Sequence, residues 1–162
     1  MPDSPKKRYY WDSCVFLALI NGEEGRVGHI KEFMHEAAQL QVAIYTSVLT
    51  IAEVGFSAAE KDSRDLDPKT LQAIDDLWLP GSPVTMVEIY AQIAVGARDL
   101  MRTAIETTVK RPKPGDAIHM ATVKRLGVDA CHTYNMKDFV PWASYMGTAV
   151  CEPIAPQGTL AV

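Results

Sequence analysis

Short apolar runs alternate with amphipathic stretches along the chain, and the two periods separate strands from helices. Arg-Tyr-Tyr-Trp at 8–11 predicts a strand, and Ser13 to Ile20 a helix halted at Asn21-Gly22. From about 27 to 40, Val27, Ile30, Met34, Ala37 and Ala38 share one face against Lys31, Glu32, His35 and Gln39, which predicts a second helix. Val42 to Thr46 predicts a buried strand, with Ser47 placed to cap the helix that follows. The polar stretch 58–67 is expected to end that helix in a mobile loop. Asp67-Pro68 supplies a cap and a first-turn proline for a helix through Trp78. Pro80 to Pro83 marks a turn and Val84 to Val87 a strand. A long helix then carries Ile89, Ile93, Ala97, Leu100 and Ala104 in register. Pro112 and Pro114 precede a helix near 116–126, closed by Gly127, and strands are expected at Val128–Thr133 and Thr148–Cys151.

Strands that alternate with helices are joined in parallel through helical crossovers. The expected fold is therefore a three-layer α/β/α sandwich around a central parallel sheet. Residues 1–152 are read as one domain and 153–162 as a loose C-terminal tail. The length of 162 residues is enough to bury a core. No apolar run reaches the roughly 20 residues that span a bilayer. The basic start before Tyr9 lacks a signal-peptide core, so the expected location is cytoplasmic, away from membranes.

Composition narrows the chemistry. Three cysteines without a C-x-x-C spacing argue against a disulfide framework or zinc knuckle, and read as small buried hydrophobes. Four histidines form no zinc-ligand pair. A net charge of −4 argues against a broad basic nucleic-acid surface and leaves room for a local one.

The acids carry the interest. In open α/β sheets, functional side chains gather at the carboxyl ends of strands. Asp12 follows the first strand, where it can also cap the next helix. Glu53 lies in the apolar stretch Val48 to Phe56, on a stripe with Thr46, Thr50 and Ser57. A bland reading pairs it with Arg98 or Arg102, or exposes the stripe. Asp116 stands in the first turn of its helix, a position the helix dipole favours by itself. Asn135 and Asp138 share one face of a turn after Thr133, where capping is the bland role. Converging carboxylates repel, and a hard divalent cation relieves that repulsion. Oxygen ligands without His or Cys select Mg²⁺ or Mn²⁺.

Four segments together resemble the PIN-domain ribonucleases, especially the small VapC-like toxins. They are Trp-Asp12-Ser-Cys-Val-Phe-Leu, Thr-Ser-Val-Leu-Thr-Ile-Ala-Glu53-Val, Pro-Gly-Asp116-Ala-Ile-His-Met-Ala-Thr and Thr133-Tyr-Asn135-Met-Lys-Asp138-Phe. The resemblance runs from about residue 8 to 151. It implies Mg²⁺- or Mn²⁺-dependent endonucleolytic cleavage of RNA leaving 5′-phosphate ends, a homodimer, and an antitoxin protein as partner if the chain is a toxin. Asp12, Glu53 and Asp116 match the family's three main acids, with Asp12 and Asp116 as metal ligands. The usual fourth acid is Asn135 here, and Asp138 lies near enough to supply the charge. Ser13, Thr133 and Asn135 match residues that support the acids. Residues 58–83 and the tail are longer than in compact toxins.

Lys110, Arg111 and Lys113 precede Asp116 and are candidate RNA-phosphate contacts, against a solvated basic loop. Lys6, Lys7 and Arg8 are weaker candidates. His119 reads as a packing or hydrogen-bonding residue, because imidazole seldom binds Mg²⁺. Two rivals stand beside the nuclease: a non-catalytic PIN-like module that binds RNA or protein, and a receiver-like phosphoacceptor domain. The receiver reading lacks the acidic pair it needs at the first strand.

Overall fold

The computed structural model describes residues 6–156. Five strands run parallel: β1 (Lys7–Trp11), β2 (Val42–Ser47), β3 (Val84–Val87), β4 (Ala130–His132) and β5 (Ala149–Cys151), in the order β3-β2-β1-β4-β5. Tyr10 is in register with Tyr45 of β2 on one side and Cys131 of β4 on the other. The chain moves outward from β1 to β3, then crosses back to build β4 and β5. The winding direction therefore reverses between β1 and β4, and such a reversal opens a crevice at the carboxyl ends of the strands. A receiver-like domain calls for the order 2-1-3-4-5, which this sheet does not have.

Helices cover both faces. On one side α1 (Ser13–Ile20), α2 (Val27–Ala38) and α5 (Pro68–Asp76) pack with Trp11, Phe16, Ile30, Phe33 and Ile44. On the other, α6 (Ala91–Ile105) and α7 (Pro114–Leu126) pack with Tyr10, Leu100, Met120, Cys131 and Phe139. Tyr10 and Trp11 are adjacent in β1 and enter opposite layers, as the two-residue pleat requires. Each is fully buried, and burial of such a side chain contributes about 1.5–3 kcal/mol. Among the described residues no helix is long and apolar enough to cross a membrane.

Several elements depart from the sequence expectation. The helix after β2 is only α3 (Leu49–Glu53), so Glu53 ends it and Ser57 falls outside its stripe. Residues 58–67 are not a loop throughout: α4 (Ala58–Ser63) begins at a capping box in which Ser57 and Glu60 satisfy each other's backbone N–H. Two short helices, α8 (Met136–Phe139) and α9 (Ala143–Met146), fill the link from β4 to β5. The first residues of the tail pack rather than hang free. Pro153 and Ala155 are buried, and the Ala155 N–H donates to His29 Nδ1 at 3.1 Å. Residues 157–162 of the expected tail lie outside the described residues.

Candidate active site

The crevice between β1 and β4 is closed by Asp12, which is 3% exposed. Its position after the strand makes it the N-cap of α1, where Oδ1 accepts from the Cys14 N–H at 3.1 Å. The same oxygen accepts from the Cys14 thiol at 2.7 Å, and Oδ2 from the Thr133 hydroxyl at 2.8 Å. Capping and site chemistry thus coincide in one carboxylate. Burial raises the Asp12 pKa against these donors. Among the described residues, no Lys or Arg forms an ion pair with Asp12 or Asp116.

Cys14 is a site residue that the sequence reading missed, because a cysteine in an apolar run looks like core. Burial and the neighbouring Asp12 charge push its thiol up to about 12, so it stays a hydrogen-bond donor. Its sulfur accepts from the Tyr134 N–H at 3.1 Å, tying the start of α1 to the segment after β4. Thr133 adds a second tie, since its hydroxyl oxygen also accepts from the Asn135 N–H at 2.9 Å.

Glu53 reaches the crevice from the end of α3. Its partner is neither Arg98 nor Arg102: Oε2 lies 2.6 Å from Nε2 of His119, while Arg98 pairs with Asp99. Burial alone would raise its carboxyl, but the hydrogen bond and charge of His119, with help from the Ser13 side chain, hold it below the ordinary value. The other oxygen presses on Gly115, where an added Cβ would stand 2.8 Å from Oε1. That contact is closer than real Cβ atoms show, so a side chain at position 115 would force the Glu53 carboxylate to shift. His119 itself is buried, and its Nδ1 lies 2.6 Å from the Tyr10 phenol oxygen.

Asp116, in the first turn of α7, is raised first by burial and then by the charges of Asp12, Asp138 and Glu53, against the opposing pull of His119. The four acids therefore share one electrostatic neighbourhood. Asp138 differs from the rest. It bonds Lys110 Nζ at 2.9 Å, and that bond, with the Asn135 side chain and Lys113, lowers its pKa. Asn135 occupies the N-cap position of α8 without a side-chain capping bond. Lys110, Arg111, Lys113 and Lys137 line a small cavity with Asp116 and Asp138, so the basic segment and the acids meet at one edge. Lys7 lies elsewhere and pairs with Asp129.

The donor chemistry suits a hard divalent cation. Asp12 and Asp116 offer only oxygen, and both are held above their ordinary pKa with no Lys or Arg among the described residues paired to them. In position, no three His, Cys, Asp or Glu side chains among the described residues stand ready to hold one ion.

The PIN domain family matches the chain over residues 9–139, from the strand that presents Asp12 to the end of α8. The chain belongs to the PIN domain family. Among solved structures, this PIN domain is similar to the DNA-bound VapBC of Salmonella typhimurium, with a TM-score of 0.66 and 15% identity over 91% of this chain and 98% of that one. It is similar to VapBC2 of Rickettsia felis bound to a promoter DNA fragment, with a TM-score of 0.64 and 16% identity over 90% and 97%. VapC20 of Mycobacterium tuberculosis, a sarcin-ricin loop cleaving toxin, aligns with a TM-score of 0.58 and 15% identity over 82% and 94%. At these identities the likeness speaks for the fold. No curated protein matches this chain in sequence.

Proposed function

We propose that the protein is a Mg²⁺- or Mn²⁺-dependent endoribonuclease, and the toxin of a toxin–antitoxin pair. The carrying observation is Asp12: a carboxylate 3% exposed, without a Lys or Arg ion pair among the described residues, that raises the pKa of Asp116 across the crevice. Burying such a charge costs several kcal/mol unless a cation compensates it. Asp12 and Asp116 would hold the ion, with Glu53 beside them. A divalent cation bound there lowers the pKa of an attacking water and offsets charge on the scissile phosphate.

The chain's own residues do the rest. Cys14 and Thr133 aim the Asp12 oxygens, and His119 and Ser13 hold Glu53. Lys110, Arg111, Lys113 and Lys137 supply positive charge where the RNA backbone would enter. Asp138 contributes by fixing Lys110 and by adding negative charge next to Asp116. Family membership supports a nuclease, and the VapBC complexes among similar folds support an antitoxin protein as partner. A homodimer, working in the cytoplasm on RNA, completes this reading.

The test is RNA cleavage by the purified protein with and without Mn²⁺. Asp12→Asn keeps an equally good helix cap, so it should fold normally and lose metal-dependent cleavage. Wild-type rates in that variant would remove Asp12 from the mechanism.

One observation favours a second reading, a non-catalytic PIN module. Asn135 replaces the usual fourth acid and Asp138 is engaged by Lys110. Such a module would show no gain in melting temperature with Mn²⁺, whereas a metal-binding site stabilises by mass action.

A further inference from the structure

Glu53 ends a chain of buried contacts that the hydrolysis itself does not call for. The Ser47 N–H donates to the Tyr10 oxygen at 3.2 Å, and Tyr10 lies 2.6 Å from His119 Nδ1. His119 Nε2 lies 2.6 Å from Glu53 Oε2. Nε2 is the ring nitrogen that faces the carboxylate, and the Tyr10 contact at Nδ1 sets the plane of the ring. Tyr10 comes from β1, Ser47 from β2 and His119 from α7, so Glu53 is referenced to three elements at once. Gly115 closes the opposite side of the same carboxylate. His119 and Gly115 flank Asp116 on α7, one turn apart.

We propose that His119 is a positioning residue: backed by Tyr10 and opposed by Gly115, it fixes Glu53 relative to Asp116 and so sets the geometry offered to the divalent cation. The proposal rests on the metal-dependent reading above. Because Oε2 of Glu53 is engaged by the imidazole, Oε1 is the oxygen that would be left for an ion. Hydrogen-bond partners of metal-binding carboxylates and imidazoles typically change metal affinity or activity by about 10–100-fold when removed.

The experiment is a Mn²⁺ titration of the full chain by calorimetry, together with kcat and KM for RNA. His119→Leu should bind Mn²⁺ about 10–100-fold more weakly and lose kcat with KM nearly unchanged. His119→Gln, which restores an N–H donor, should recover part of both. Wild-type Mn²⁺ affinity in His119→Leu overturns the proposal, as does a loss that falls on KM alone. If His119→Leu fails to fold, Tyr10→Phe decides: it should weaken Mn²⁺ binding several-fold, and unchanged affinity overturns the proposal. A wild type that binds Mn²⁺ yet cleaves no RNA refutes the ribonuclease reading while the affinities still judge His119. A wild type that binds no Mn²⁺ refutes both.

Discussion

The Thr133 hydroxyl donates to Asp12 Oδ2 at 2.8 Å, joining residues 121 positions apart at the ends of the two strands where the sheet reverses direction. Both groups are buried, so neither can exchange this partner for water. Thr133→Val keeps the shape and deletes the donor. Loss of a buried hydrogen bond to a charged group costs about 1–3 kcal/mol, so urea unfolding should show a drop of that size. Mn²⁺ affinity should fall as the Asp12 oxygen loses its orientation. A variant that is destabilised but binds Mn²⁺ as wild type would show that Thr133 serves the fold alone.

Gly115→Ala separates position from stability in the opposite sense. The new methyl would meet the end of the Glu53 side chain at 2.8 Å, and a flexible carboxylate yields more easily than a backbone. The melting temperature should change little, since alanine favours a helix over glycine by up to about 1 kcal/mol. RNA cleavage should fall at least tenfold, about 1.4 kcal/mol in barrier. Wild-type cleavage would mean that the Glu53–Asp116 spacing tolerates displacement.

Asp138→Asn removes the charge that holds Lys110. The pair is largely on the surface, with the Lys110 side chain 65% exposed, so stability should change by less than about 1 kcal/mol. Kinetics should show a higher KM for RNA and a smaller loss than Asp12→Asn. A collapse of kcat equal to that of Asp12→Asn would instead place Asp138 on the ion.

His132 gives a pH dependence with a definite sign. Burial lowers its pKa from 6.5 to about 4, and the Trp11 indole N–H donates to its Nδ1 at 3.0 Å. The unfolded chain binds this proton more readily than the folded one between these values. The contribution is therefore complete above about pH 6.5 and is lost as pH falls toward about 4, roughly 3 kcal/mol in all. Asp12 and Asp116 act the other way, because a raised carboxyl pKa favours the folded state as acid is added. An NMR titration isolates the histidine: its ring should titrate near 4, and a midpoint near 6.5 would contradict its burial.

Much of this architecture is legible in residue order. Five strands, the long helices and the Asp67-Pro68 start of α5 follow from periodicity and cap chemistry. The helix at 58–63 escaped because its residues are mostly polar, although Ser57-x-x-Glu60 is a capping-box signature readable in one dimension. The turns between β4 and β5 are too short to show a period. Asp12 and Asp116 stand out by their places after a strand and at a helix start. Glu53's partner does not: His119 is 66 positions away, and Arg98 and Arg102 were equally plausible by charge. Cys14 is read as core until Thr133 and Tyr134 arrive beside it from the far end of the chain.

That long separation has a bearing on synthesis. A nascent polypeptide that has not yet yielded β4 possesses Asp12, Glu53 and Asp116, with Asp12 held by Cys14 but not yet by Thr133. Pairing across more than a hundred residues is also slow compared with local helix formation. The full set of hydrogen bonds around Asp12 therefore forms only once the segment after β4 has docked against the start of α1.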